Sequence, residues 1–88
     1  MKIVCFYDMA PGALAKVAAH YPAHRAMLDE FHARGVFIAA GPLGNPPEGA
    51  MALFTTREAA EEFATNDPFV VHGLVSQWRL VEWNAVFI

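Results

Sequence analysis

Residues able to do acid–base or metal chemistry are few in this chain: four histidines, nine carboxylates and one cysteine. His24 and Asp67 are the candidate catalytic pair. A carboxylate beside an imidazole fixes its tautomer and favours the charged ring, so the two together can act as general base or acid. Each also has an ordinary structural role. Asp67 precedes Pro68 and fits a helix N-cap, and His24 fits a core histidine satisfied by a backbone carbonyl. His20 and His24, four residues apart, are competent to share a zinc ion with His72, but no His-Glu-x-x-His pattern and no cysteine pair accompanies them. No metal is therefore expected, and His20 reads as solvent-exposed. Tyr7, Trp78 and Trp83 suit either an aromatic pocket or a packed core or interface. Gly41-Pro42 reads as a turn, or as a place where backbone comes close to a ligand. The run Gly41-Pro42-Leu43-Gly44 lacks the lysine and following helix of a phosphate loop, and no dinucleotide motif is present, so no cofactor is expected. Cys5 lies mid-strand and reads as buried and inert.

The elements that must position these groups are legible. His24 falls on a helix over His20–Gly35, with Pro22 in its first turn and Gly35 just past its end. Met27, Leu28 and Phe31 form its apolar stripe, and His24 lies on that stripe one turn before Leu28. The opposite face offers Arg25–Asp29 and Glu30–Arg34, both spaced for pairing. Lys2–Asp8 reads as a strand with Ile3, Cys5 and Tyr7 on one face and Val4 and Phe6 on the other, both faces apolar. Pro11-Gly12 turns the chain, and the Ala-rich segment Ala13–Ala19 favours helix up to a break at Pro22. Val36–Ala40 and Ala50–Thr55 read as a hairpin across the loop Gly41–Gly49. Thr55 and Glu58 have capping-box spacing for a helix running to about Thr65, with Ala60, Phe63 and Ala64 inward. Asp67-Pro68 opens a short helical turn ended by Gly73, and Leu74–Trp83 is the last strand. The order β-α-β-β-α-β predicts a single α+β domain over residues 1–88, ferredoxin-like, with an antiparallel four-stranded sheet and helices on one face.

Composition adds one demand. Of the 88 residues, 56% are apolar, above the usual share for a soluble domain, yet no run is long enough to span a bilayer. The excess, and the apolar face of the first strand left uncovered by helices, predict a homodimer paired through its sheets, with larger assemblies left open. The apolar tail Ala85–Ile88 is expected to pack, across that interface among other options. A net charge of −3 with scattered basic residues excludes a nucleic-acid surface, and no membrane partner is expected. A lone cysteine and the absence of a leader pattern fit the cytoplasm.

Several of these features in sequence resemble the YciI-like (YCII-related) family. They are Pro22-Ala23-His24 followed by Leu28, Gly35 ahead of the second strand, Gly41-Pro42, Asp67-Pro68-Phe69 with Gly73 beyond, and the closing Glu82-Trp83-Asn84. The resemblance implies a dimeric α+β barrel and an active site built on His24 and Asp67. With it, Tyr7, Gly41, Pro42, Phe69 and Trp78 are the expected substrate-binding residues. Some relatives carry out lyase-type elimination on chlorinated hydroxyquinones, and similar barrels include isomerases and small monooxygenases. Many members carry arginine where this chain has Tyr21, which weakens the case for an anionic-substrate contact there.

Two functional readings follow. One is a small cytoplasmic enzyme in which a His24–Asp67 pair moves a proton on a small cyclic or aromatic metabolite, lyase- or isomerase-like and free of cofactors. The other is a non-catalytic ligand-binding or accessory dimer, in which His24 makes only structural hydrogen bonds.

Overall fold

Strand β1 (Lys2–Met9) runs through the middle of a four-stranded sheet, hydrogen-bonded to a neighbouring strand along each of its edges. The computed structural model describes all residues, Met1–Ile88. The sheet order is β2-β3-β1-β4, all antiparallel, with β2 at Phe37–Leu43, β3 at Gly49–Phe54 and β4 at Val75–Trp83. A 3-10 turn (Ala13–Lys16) leads into α1 (Val17–Ala33), and α2 (Arg57–Asn66) and α3 (Pro68–Val71) precede β4. This is the α+β ferredoxin-like arrangement. No helix is long and apolar enough to cross a membrane.

The alternation of β1 decides which residues meet the helices. Ile3, Cys5 and Tyr7 join Phe31 of α1, Phe54 of β3 and Phe63 of α2 in one buried cluster. The three phenylalanines meet edge-on or tilted at centroid distances of 5.3–6.5 Å, the geometry favoured by aromatic quadrupoles. Val4 and Phe6 point the other way, beside Leu53, Met51 and Val81 in register. No helix covers that side; the guanidinium of Arg79 lies 4.5 Å from the Phe6 ring.

Helix α1 ends as its punctuation predicts. Gly35 takes φ +78°, its N–H bonds the His32 carbonyl at 2.9 Å, and the Val36 N–H reaches back to Phe31 at 3.2 Å, the paired bonds of a Schellman cap. Its start is earlier than expected. Pro22 lies inside α1, not in the first turn. Both Pro22 and Ala18, whose carbonyl loses its donor, are exposed, so water can satisfy the freed group.

Other expectations are corrected by tertiary context. Strand β2 continues through Gly41-Pro42-Leu43, which composition assigned to a loop; β2 is an edge strand, where a residue without an N–H is tolerated. The cap of α2 is Thr56, whose hydroxyl accepts from the Ala59 N–H at 3.1 Å, one residue beyond the expected Thr55. Arg34 does not pair with Glu30; it makes a two-pronged pair with Glu62 of α2, both bonds 2.9 Å, because the facing helix offers a carboxylate in fork geometry. Arg25–Asp29 forms at 3.1 Å as spaced. The tail is not packed within the chain: Val86 and Ile88 are exposed and Phe87 is 102% exposed. Gly49 fits because a Cβ there would overlap the Tyr7 carbonyl oxygen, where β3 passes β1.

Candidate active site

Asp67 sits where α2 stops. Its N–H still bonds the Phe63 carbonyl at 2.8 Å, and Pro68 then starts α3 without needing a donor. The side chain is 0% exposed, so its charge must be met by donors. Three groups meet it. The Phe69 N–H donates to Oδ1 at 3.1 Å, His24 Nδ1 lies 2.7 Å from the same oxygen, and the Tyr7 hydroxyl donates to Oδ2 at 2.7 Å. The cap and the histidine partner, posed by the sequence as alternatives, are both present, since a carboxylate accepts about four hydrogen bonds. No buried side-chain polar atom lacks a partner.

His24 projects from the half-buried stripe of α1, its side chain 12% exposed. An ionised carboxylate only accepts, so in the neutral ring Nδ1 carries the hydrogen and Nε2 holds the lone pair. Nε2 has no protein partner and is not buried. The ring is held between aromatics: Phe69 stacks on it at 4.0 Å and 13°, and Phe63 meets it edge-on at 6.0 Å. Proton uptake at Nε2 would produce an imidazolium against Asp67, which a buried carboxylate stabilises.

Burial, then the Asp67 charge and hydrogen bond, push the Tyr7 hydroxyl well above its ordinary range, so it stays a protonated donor. Burial foremost, with the Asp67 charge second, pushes the Cys5 thiol up to about 12, which makes it a poor nucleophile.

The His24 ring borders a cavity of about 300 Å³ between α1 and the sheet, the lower end of the range for ligand pockets. His24, Tyr7, Gly41, Pro42 and Phe69 are on its wall. Gly41 and Pro42 reach it because β2 runs on past its expected end. Trp78 does not line it: it pairs in register with Tyr7 and packs beside the core instead, further along β4 than Val75, which is on the wall. Sequence reasoning missed the role of Tyr7 as a donor to Asp67. The signal was available, since an inward tyrosine on a central strand needs a partner for its hydroxyl. Tyr21, Leu14 and Val17, also on the wall, carry no motif.

His20 and His72 stack face to face, 4.3 Å between centroids and 20° from parallel. Lone pairs in two stacked planes do not converge on one ion, and no group of three or more metal-ligating side chains is assembled. His32 packs against Phe37 at the far end of α1.

Residues 1–84 match the model of the YCII-related domain, and the chain belongs to that family. It is 30% identical to Protein YciI of Escherichia coli O6:H1, over 99% of this chain and 100% of that protein. The Shigella flexneri YciI matches to the same extent. Among solved structures it resembles the 5-chloro-2-hydroxyhydroquinone dehydrochlorinase TftG of Burkholderia phenoliruptrix AC1100, solved with 2,5-dihydroxybenzoquinone. That match has a TM-score of 0.77 and 21% identity, covering 96% of this chain and 94% of TftG. An antibiotic biosynthesis monooxygenase has a TM-score of 0.56 at 17% identity, with 97% of each chain covered. At these identities the likeness establishes the shared fold, which hosts small-molecule enzymes.

Proposed function

We propose that this protein is a cytoplasmic, homodimeric enzyme that moves a proton on a small hydroxylated ring compound without a cofactor, in lyase- or isomerase-type chemistry. The observation that carries the proposal is the His24 ring, tied through Nδ1 to a fully buried Asp67 at 2.7 Å, with Nε2 free beside an apolar cavity. Nε2 takes a proton from a ring hydroxyl or an acidic C–H. Asp67 stabilises the imidazolium, and the Tyr7 hydroxyl and Phe69 N–H keep the carboxylate in place. Expulsion of a leaving group, or return of the proton to another carbon, completes the reaction. TftG, whose name describes loss of chloride from a hydroxyhydroquinone, supports this chemistry on this fold. The exposed apolar side of the sheet, where Val81 and Trp83 are uncovered, supports a second copy as its cover.

The test is hydrogen–deuterium exchange at the ring carbons of hydroquinone and hydroxyhydroquinone in D₂O under anaerobic conditions, followed by NMR. The native protein should accelerate exchange by roughly 10²–10⁴-fold, the usual contribution of a positioned base. His24→Ala and Asp67→Asn should abolish the acceleration while leaving the fold and the dimer intact. No acceleration over buffer, or acceleration unchanged in both variants, contradicts the reading and favours a ligand-binding role. A 9.7 kDa particle in sedimentation would refute the dimer.

A further inference from the structure

We infer that the cavity selects uncharged ring compounds over the same ring bearing a carboxylate, and that Tyr21 stands at the position that controls this choice. The inference rests on the acid–base reading of His24 and deepens it by setting the charge of the substrate. The chain has six lysines and arginines, and none is on the cavity wall. Three of the arginines are committed elsewhere. Arg34 is paired with Glu62, Arg79 lies over Phe6 on the other side of the sheet, and Arg25 is held by Asp29 at 3.1 Å. Arg25 reaches towards the site only as far as the Tyr21 hydroxyl, at 3.4 Å.

The one charge beside the cavity is negative. Asp67 lies directly behind the His24 ring, fully buried. A neutral ring hydroxyl suits this setting. Its O–H hydrogen-bonds to Nε2. On transfer the O–H bond breaks, an N–H bond forms at Nε2, and the electron pair stays on the ring oxygen. The total charge of ring, imidazole and Asp67 is the same before and after, and no oxidant or reductant enters. A carboxylate on the ring changes this. It brings a second negative charge against an apolar wall, one imidazole away from Asp67, with no cation to receive it.

Tyr21 is where a cation would be most effective. It lies on the wall one turn before His24, its ring 5.9 Å from the imidazole, with its outer part in solvent. An arginine there would place a guanidinium beside the ligand without entering the core.

The test uses a matched pair of probes, hydroquinone and 2,5-dihydroxybenzoate, under anaerobic conditions. Each is titrated into the native protein while the His24 ring resonances are followed, His24→Ala providing their assignment. Hydroquinone should bind at least tenfold more tightly than its carboxylated analogue. Tyr21→Arg should cut that preference tenfold or more by tightening the carboxylate. Tyr21→Gln, which adds no charge, should leave the preference in place. Equal or tighter binding of 2,5-dihydroxybenzoate to the native protein overturns the charge selection and leaves the reading of His24 standing. A folded Tyr21→Arg variant with an unchanged preference overturns the role of Tyr21. If neither compound moves the His24 resonances, the small-ring reading of the site and this inference fall together.

Discussion

Helices α1 and α2 lie on the same side of the sheet but are packed in different ways. Four residues of the ten-residue α2, Ala59, Ala60, Phe63 and Ala64, are buried. In α1, which has 17 residues, only Phe31 is. Alanines let α2 settle close to the strands, and Phe63 alone fills the remaining depth. Helix α1 instead presents Tyr21, His24 and Leu28 to a cavity. The site occupies the seam between them: Asp67 comes from the end of the tight helix and His24 from the loose one. Close packing on one side holds the carboxylate dry and oriented, and loose packing on the other leaves Nε2 accessible.

The sharpest way to break this contrast is a truncation on each side. Phe63→Ala should lose about 3–5 kcal/mol of stability in chemical denaturation, the usual cost of emptying an aromatic site that cannot collapse. Leu28→Ala, half-buried beside the cavity, should lose less than half as much. Equal losses would mean that α1 and α2 are not packed differently in solution.

Alkaline pH probes the strand beneath both helices. The Cys5 thiol is raised from its ordinary 9.0 to about 12 by burial and by Asp67, so the unfolded chain gives up this proton first. Its contribution is complete below pH 9 and is lost as pH rises through 12, at up to about 1.4 kcal/mol per pH unit. The raised Tyr7 hydroxyl adds a second loss above its ordinary value of 10.0. Denaturation of native and Cys5→Ala protein across this range should show a shallower fall in the variant. Identical slopes would place Cys5 in contact with water.

Tyr7→Phe leaves Oδ2 of Asp67 buried without its donor and should cost about 1–3 kcal/mol. The same variant should slow exchange catalysis less than Asp67→Asn does, because the His24 bond to Oδ1 survives. The smallest effect belongs to the surface. Glu62→Gln removes the exposed pair with Arg34 that joins α1 to α2, and its slight destabilisation should vanish in high salt. The Glu62 carboxyl is held below its ordinary value chiefly by the Arg34 hydrogen bonds, so that stability is present above the ordinary value and lost as pH falls through the lowered one.

The contrast between legible and illegible residues follows the same division. Local rules reach what one element decides: the alternation of β1, the inward stripe of α2, the Gly35 cap and the Asp67-Pro68 start of α3. They fail where a neighbouring element decides. Pro22 stays inside α1 because the carbonyl it deprives faces water. Pro42 stays in β2 because that strand is at an edge. Arg34 leaves Glu30 for a better-placed carboxylate on another helix. Trp78 misses the cavity although its strand neighbour Tyr7 reaches it. At the site, periodicity and fold order place His24 and Asp67 on elements that meet. What spacing cannot show is that one carboxylate serves as cap, histidine partner and tyrosine acceptor together, because that depends on distances across three separate elements.

The central claim is that Asp67 holds His24 with its hydrogen on Nδ1 and its lone pair on Nε2. The most direct measurement is a two-bond proton–nitrogen NMR correlation of the histidine rings at a pH where they are neutral. The account predicts that His24 is the Nδ1–H tautomer, with Nε2 showing the shift of an unprotonated nitrogen, and that Asp67→Ala releases it to a tautomer mixture. A neutral His24 protonated at Nε2 in the native protein would contradict the account, because the ring nitrogen left free by Asp67 would then be unable to accept a proton.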